Sequence, residues 1–313
     1  MRRVLKTGVA LGTLVAMGAG VGVGQTPPRE SPAAPRLSPE LRQRFIAAVQ
    51  QYRAGDWKAA AAGFGALGGA ATPIPDYALY LQADSLTRAG DAEAAAAAAT
   101  QAAERLPDGP IAALALLLAG EQASRAGKGA EAVALLRRFV ERHPDHGEAT
   151  RGRFMLAQAL EASGTPADAA GLYRLIWIRA PASSFADPAG TAERALAARG
   201  VTLAPPTPRE RLERAERLLS GGRADTARAE AEVLAGEGLE AESKLRALKV
   251  VAEASRRTGK HDVAARAVDQ ALAIAVGPAR AAWLLERARL QQRQNPDGAL
   301  AALRQTVQEH PKA

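Results

Sequence analysis

Apolar and polar positions divide the chain into three regimes. From Thr7 to Gly24 there is no charge, and Val, Leu, Ala and Gly dominate. Between residues 25 and 39 the pattern is broken by Pro27, Pro28, Pro32, Pro35 and Pro39, a density that predicts an extended tether. From about residue 40 onward, apolar residues recur at helical spacing. Gly55, Gly90, Gly127, Gly164, Gly222 and Gly259 interrupt them, with Asn295 as a seventh interruption. The intervals are 35, 37, 37, 58, 37 and 36 residues. Five of the six define one ruler, and the long one reads as a repeat of 37 plus an insertion of 21.

Other positions keep the same register. Seven residues before each interruption stand Ala48, Ala83, Gly120, Ala157, Ala215, Ala252 and Ala288, all small. Five residues after come Ala60, Ala95, Ala132, Ala169, Ala227, Ala264 and Leu300. Phe64, Leu136, Tyr173 and Val268 lie one turn further on, the spacing that puts them on the same helix face. Pro107, Pro144 and Pro181 follow three successive interruptions at 17 residues, with Pro278 and Pro311 within two positions of that offset. The unit is a helix–turn–helix. Glycine supplies the positive φ that ends the first helix, and Asp56, Asp91 or Thr165 can cap the second. Small residues let the two helices cross closely, and proline, lacking an N–H, stops the second helix. The ruler predicts fourteen repeat helices and one short inserted helix.

This order of small residue, turn glycine, alanine, aromatic and terminal proline resembles the tetratricopeptide repeat (TPR). The resemblance implies an all-α, right-handed α-α superhelix, a TPR-like solenoid of about seven helix-turn-helix repeats. The pitch is slightly longer than the usual 34, and Leu79, Leu116, Leu248 and Leu284 replace the family's first-helix Trp. A single repeat cannot bury its apolar face, so stacking must supply the core.

The insertion carries a second resemblance. Tyr173 and Trp177 precede Pro181, a short helix is expected from about Pro188 to Ala198 with Asp187 as its cap and Gly200 as its stop, and Pro205, Pro206 and Pro208 lead into a renewed array. That layout resembles the N-terminal superhelical region of soluble lytic murein transglycosylases, periplasmic enzymes that cleave peptidoglycan glycan strands. The resemblance supplies no active site. The family's catalytic glutamate lies in a lysozyme-like domain after the helices, and no stretch here looks like it. The chain as given is expected to be catalytically inert; continued into such a domain it would be a lytic transglycosylase. The domain division is residues 1–24, signal peptide; 25–39, proline-rich linker; 40–182, repeats 1–4; 183–208, inserted helix and connector; and 209–313, repeats 5–7.

Arg2, Arg3 and Lys6 before the uncharged run, and Gly22 and Gly24 before Gln25, have the layout of a secretory signal cleaved near Gly24. The expectation is an exported, periplasmic protein without stable membrane insertion after cleavage. The 313 residues include 76 alanines and no cysteine, which excludes disulfides, thiolate metal sites and a lipidated N-terminal Cys. Without that anchor, an outer-membrane lipoprotein assembly factor is disfavoured. The net charge of +8 falls to +5 without residues 1–24, too diffuse for nucleic acid.

No motif carries chemistry. His143-Pro144-Asp145-His146 reads as a polar loop, and Gly127-Lys128 and Gly259-Lys260 lack the rest of a phosphate loop. Trp57, Trp177 and Trp283 read as core. The sequence calls for no metal and no cofactor. In the repeat family the first helices line the concave face, which implies that positions ten, six and three before each interruption face a groove. In the last two repeats these are Lys249, Glu253 and Arg256, then Leu285, Arg289 and Gln292, with Arg246 and Arg293 beside them. The candidate ligand groove is therefore Arg246, Lys249, Arg256, Arg289 and Arg293, a basic stretch with few acids, suited to carboxylates of a protein, a peptide or peptidoglycan. The functional readings are the non-catalytic superhelical part of a transglycosylase or a stand-alone periplasmic adaptor.

Overall fold

The computed structural model describes residues 37–69, 72–292 and 295–309. The signal-like segment, most of the proline-rich tether, Arg293 and Pro311 lie outside the described residues. Fifteen α-helices occupy them: α1 (Pro39–Ala54), α2 (Trp57–Gly69), α3 (Pro75–Ala89), α4 (Ala92–Arg105), α5 (Ala112–Arg125), α6 (Gly129–Arg142), α7 (Ala149–Ala162), α8 (Pro166–Arg179), α9 (Ala186–Ala198), α10 (Pro208–Ser220), α11 (Ala224–Gly236), α12 (Ala241–Arg257), α13 (His261–Ile274), α14 (Gly277–Gln291) and α15 (Pro296–Glu309). Consecutive helices pack antiparallel, each mainly on its neighbours in sequence, except that α10 skips α9 and packs on α8 and α12 as well as on α11. The protein is an all-α solenoid of about seven hairpins.

The register explains the packing. All six interrupting glycines have positive φ, between 73° and 84°. The alanines five residues later in the first six hairpins are fully buried, as are Phe64, Leu136, Tyr173 and Val268. Ala48, Ala83, Ala157, Ala215 and Ala288 are buried with Gly120, while Ala252 is only half-buried. Gly120 shows why these positions stay small: a Cβ there would lie 2.4 Å from Leu136 Cγ. Leu79, Leu116, Leu248 and Leu284 are buried on the first helices.

Four local expectations need correction. Asp91 caps α4 by accepting from Ala94 N at 3.0 Å, and Asp56 accepts from Ala59 N at 3.3 Å. Thr165 caps nothing; its hydroxyl donates back to Leu160 O. Pro278 does not end a second helix but sits in the first turn of α14, where its missing N–H costs no helical hydrogen bond. Leu300 is not in the buried alanine column: it is 45% exposed and Ala299 is buried instead. Asn295 explains the slip. It accepts from Gly298 N as the cap of α15, one position later than a turn glycine. Counted from the residue preceding each second helix, the column is Ala60, Ala95, Ala132, Ala169, Ala227, Ala264 and Ala299.

The fourth correction concerns the insertion. Helix α9 starts at Ala186, with Asp187 inside its first turn, and Phe185 precedes it without a side-chain cap. It packs on α8 as other first helices pack on the second helix before them. It closes at Gly200, whose φ is 91°, 36 residues after Gly164 and so one repeat later. The long interval therefore holds a first helix without its second, rather than a repeat plus an unrelated helix. Val201 and Leu203 of the following extended stretch pack against the core of α3–α9. Thr207 and Glu210 then form a reciprocal capping box that opens α10.

The core is divided at this point. One cluster of buried apolar residues runs from α3 to α9, and another from α10 to α14. Arg214 of α10 bridges them. It is 5% exposed, its guanidinium lies 3.9 Å from the Trp177 ring of α8, and it donates to Trp177 O and to Glu230 of α11. A buried arginine is stable there because the ring, a carboxylate and a backbone carbonyl together receive its cation.

Candidate functional site

Helices α12 and α14 are consecutive first helices, and a hollow of about 670 Å³ lies between them. Arg246, Lys249 and Arg256 from α12 and Arg289 from α14 line it together. These are four of the five residues expected in a groove; Arg293 lies outside the described residues. The inward positions of the ruler are thus spatial neighbours. A second hollow of about 590 Å³, between α5 and α7, uses the same offsets through Glu121, Ser124, Phe154 and Gln158.

The charge of the α12–α14 hollow differs from the expectation. Arg246 pairs with Glu216 of α10 through two hydrogen bonds of 3.0 and 2.8 Å. Arg256 and Arg257 share Glu253, at 2.6 and 2.7 Å, and Arg289 pairs with Glu286 at 2.8 Å. Hydrogen bonds donated to these carboxylates raise Arg246 and Arg256 above the ordinary arginine value. Burial would push Glu253 up, but the two guanidiniums outweigh it and hold the carboxyl below its usual range. The stretch is therefore a set of compensated pairs. Of the five expected residues, Lys249 is the described cation that makes no ion pair or hydrogen bond.

What the charge reading missed is the apolar lining: Leu245, Ala252, Trp283, Leu285 and Leu290. Trp283 was expected in the core, and it is indeed 7% exposed, yet it borders the hollow. Half-burial of Ala252 belongs to the same opening. The signal available in the sequence was Leu285 at an inward offset, an apolar residue where a solvated helix face would carry a polar one.

Each of the other tryptophans carries an arginine over one ring face. Arg88 lies over Trp57 at 5.2 Å and Arg214 over Trp177. His143 and His146 both lie against Phe139 in the α6–α7 loop, and His146 Nδ1 accepts from Glu148 N. No described helix is long and apolar enough to cross a membrane.

Family models of the tetratricopeptide repeat match residues 117–184, covering the hairpins around α6 to α8, and residues 284–313. No curated protein matches the chain. Among solved structures, a tetratricopeptide repeat protein from Parabacteroides merdae is 13% identical, with 87% of this chain and 94% of that chain covered at a TM-score of 0.38. PilF of Pseudomonas aeruginosa is 16% identical, with 81% and 97% covered at 0.35. Neither matched model is of a catalytic family. Residues 117–184 and 284–313 thus match the tetratricopeptide repeat, and the described helices other than α9 keep a helix–turn–helix register consistent with a solenoid of that kind.

Proposed function

We propose that the protein is an exported scaffold that holds a partner polypeptide between its first helices, with the α12–α14 hollow as the principal site. The observation that carries this reading is an apolar floor of Leu245, Trp283, Leu285 and Leu290 with unpaired Lys249 at its edge. Such a hollow rewards an apolar anchor by excluding water and orients it through one charge. A polyanion is a poorer fit, because Arg246, Arg256 and Arg289 already hold carboxylates. The preferred ligand is a peptide with a bulky apolar residue close to an Asp, Glu or terminal carboxylate.

Export is proposed from the arrangement of Arg2, Arg3, Lys6, the uncharged run and Gly22-Val23-Gly24; N-terminal sequencing of the protein from cell fractions tests it. The cell-wall reading rests on the residue pattern around 173–208. Packing of α9 as an unpaired first helix accounts for that pattern within the repeat array, so the adaptor reading is the one carried forward.

Selection of random peptides on immobilised protein tests the site. Enriched sequences should combine an aromatic or aliphatic residue with a nearby carboxylate, and Lys249→Glu with Leu285→Asp should abolish capture. Enrichment unchanged by that double substitution would move the site elsewhere.

A further inference from the structure

Three successive loops between hairpins share one design, and the middle one is built from imidazoles. Leu106, His143 and Ala180 hold the same place after α4, α6 and α8, spaced 37 residues apart, and Gly109, His146 and Ser183 follow three positions on. The backbone closes in the same way each time. The N–H groups of Gly109, His146 and Ser183 donate to Leu106 O, His143 O and Ala180 O at 2.9, 3.2 and 3.0 Å. Ala112, Ala149 and Ala186 then donate to Gly109 O, His146 O and Ser183 O. The side chains differ. Ser183 Oγ accepts from Phe185 N at 3.3 Å, His146 Nδ1 accepts from Glu148 N at 3.1 Å, and glycine at 109 offers no acceptor. A hydroxyl keeps its acceptor at any ordinary pH. An imidazole loses it on taking up a proton, because a protonated Nδ1 has no lone pair left for an N–H.

The surroundings disfavour a charged imidazole. Phe139 is fully buried and lies so close to Gly152 of α7 that a Cβ there would overlap its ring. Both imidazoles pack on that ring, with centroids 5.9 Å away for His143 and 5.8 Å for His146. His143 Nε2 is buried without a hydrogen-bond partner. Burial, then His146 and Arg142, hold His143 below the ordinary histidine value, against the opposing pull of Asp108 in the α4–α5 loop. Asp108 also pairs with Arg142 at 3.4 Å. At the start of α7, Glu148 lies 3.6 Å from Arg151, and Arg153 donates to Pro144 O. Asp145, between the two histidines, is exposed. A positive imidazole here would face the positive end of the α7 dipole.

We propose that the α6–α7 loop is a proton-sensitive joint: in mild acid His143 and His146 become charged, the Glu148 N–H loses its acceptor, and the packing of α7 on Phe139 loosens. Folding favours neutral His143. Its contribution is therefore present in full above the ordinary histidine value of about 6.5, and is lost as pH falls from there through the lowered value of the folded chain. Helix α7 supplies Arg151, Phe154 and Gln158 to the hollow it forms with α5, and Arg151 pairs there with Glu121 at 2.6 Å. Loosening the start of α7 reshapes the wall of that hollow.

Hydrogen exchange of the full chain at about pH 7.5 and about pH 5, corrected for the intrinsic rate at each pH, tests the joint. Segment 144–152, which contains the first turn of α7, should lose protection severalfold in acid. Segment 181–189, its counterpart at the start of α9, should not. His143→Ala with His146→Ser installs the residues that the chain itself uses at Ala180 and Ser183, so the turn and its acceptor are kept. That double variant should match the parent near pH 7.5 and show no acid loss in 144–152. Unchanged protection of 144–152 in the parent, equal loss in both segments, or acid loss that persists in the double variant each overturns the inference. The comparison of the two segments within the parent chain holds whether or not the variant folds.

Discussion

Alanine at a helix crossing is a small residue with a large consequence, since its size sets how near two backbones come. Ala169 has no accessible surface, and Ala169→Leu should cost about 1–3 kcal/mol by overpacking, read as a shift in the urea midpoint at constant slope. Ala252→Leu, at the half-buried edge of the hollow, should cost far less, and equal costs at both sites would contradict the register. Tyrosine ionisation offers an independent reading. Burial and then the hydrogen bond to Asp84 push Tyr52 up to about 12, and burial followed by the nearby Glu161 does the same to Tyr173. Burial also raises Tyr80. The phenol proton is therefore held more tightly in the folded state. That stabilisation is complete below the ordinary tyrosine value of about 10 and is lost as pH rises through about 12. Absorbance at 295 nm should show late, folding-linked titration of Tyr52 and Tyr173; ordinary titration of all four tyrosines would contradict their packing. These buried positions were legible in the sequence because close approach admits only Gly or Ala, so spacing and identity agree. The charges were not. Whether Arg246 is free or held by Glu216 depends on a residue 30 positions away on another helix, and helical periodicity says nothing about such a pair.

At the scale of elements, the hairpins could be counted from the glycine ruler, but α9 could not be classified. Gly200 keeps the interval of 36 from Gly164, yet the next expected landmark, a second helix, is replaced by the extended stretch 201–206. The array is then rejoined through a side chain. Arg214 stacks on Trp177 and pairs with Glu230, so α10 is fixed to α8 across a break between two apolar cores. In a linear array, cooperativity depends on contacts between neighbours. Arg214→Ala should cost about 1–3 kcal/mol, below the full penalty of a buried pair because Glu230 keeps access to water. It should also separate urea unfolding into two transitions, with helices α10–α15 and α1–α9 losing protection from hydrogen exchange at different concentrations. A single transition with unchanged slope would show that the joint does not couple the two cores.

For the molecule as a whole, stacking produces what no single hairpin contains: hollows between consecutive first helices. The composition pointed toward a basic surface, and the folded chain converts most of that charge into ion pairs across and along helices. What remains available at the α12–α14 hollow is apolar area and one lysine, a surface suited to a partner's side chain more than to a bare anion. This is the central claim, and hydrogen exchange in the presence of a peptide selected on the protein tests it most directly. The account predicts slowed exchange of backbone amides in Ala241–Arg257 and Gly277–Gln291, with no change in Trp57–Gly69 or Ala92–Arg105, and loss of the effect in Lys249→Glu. Protection confined to other helices, or unaltered by Lys249→Glu, would contradict it.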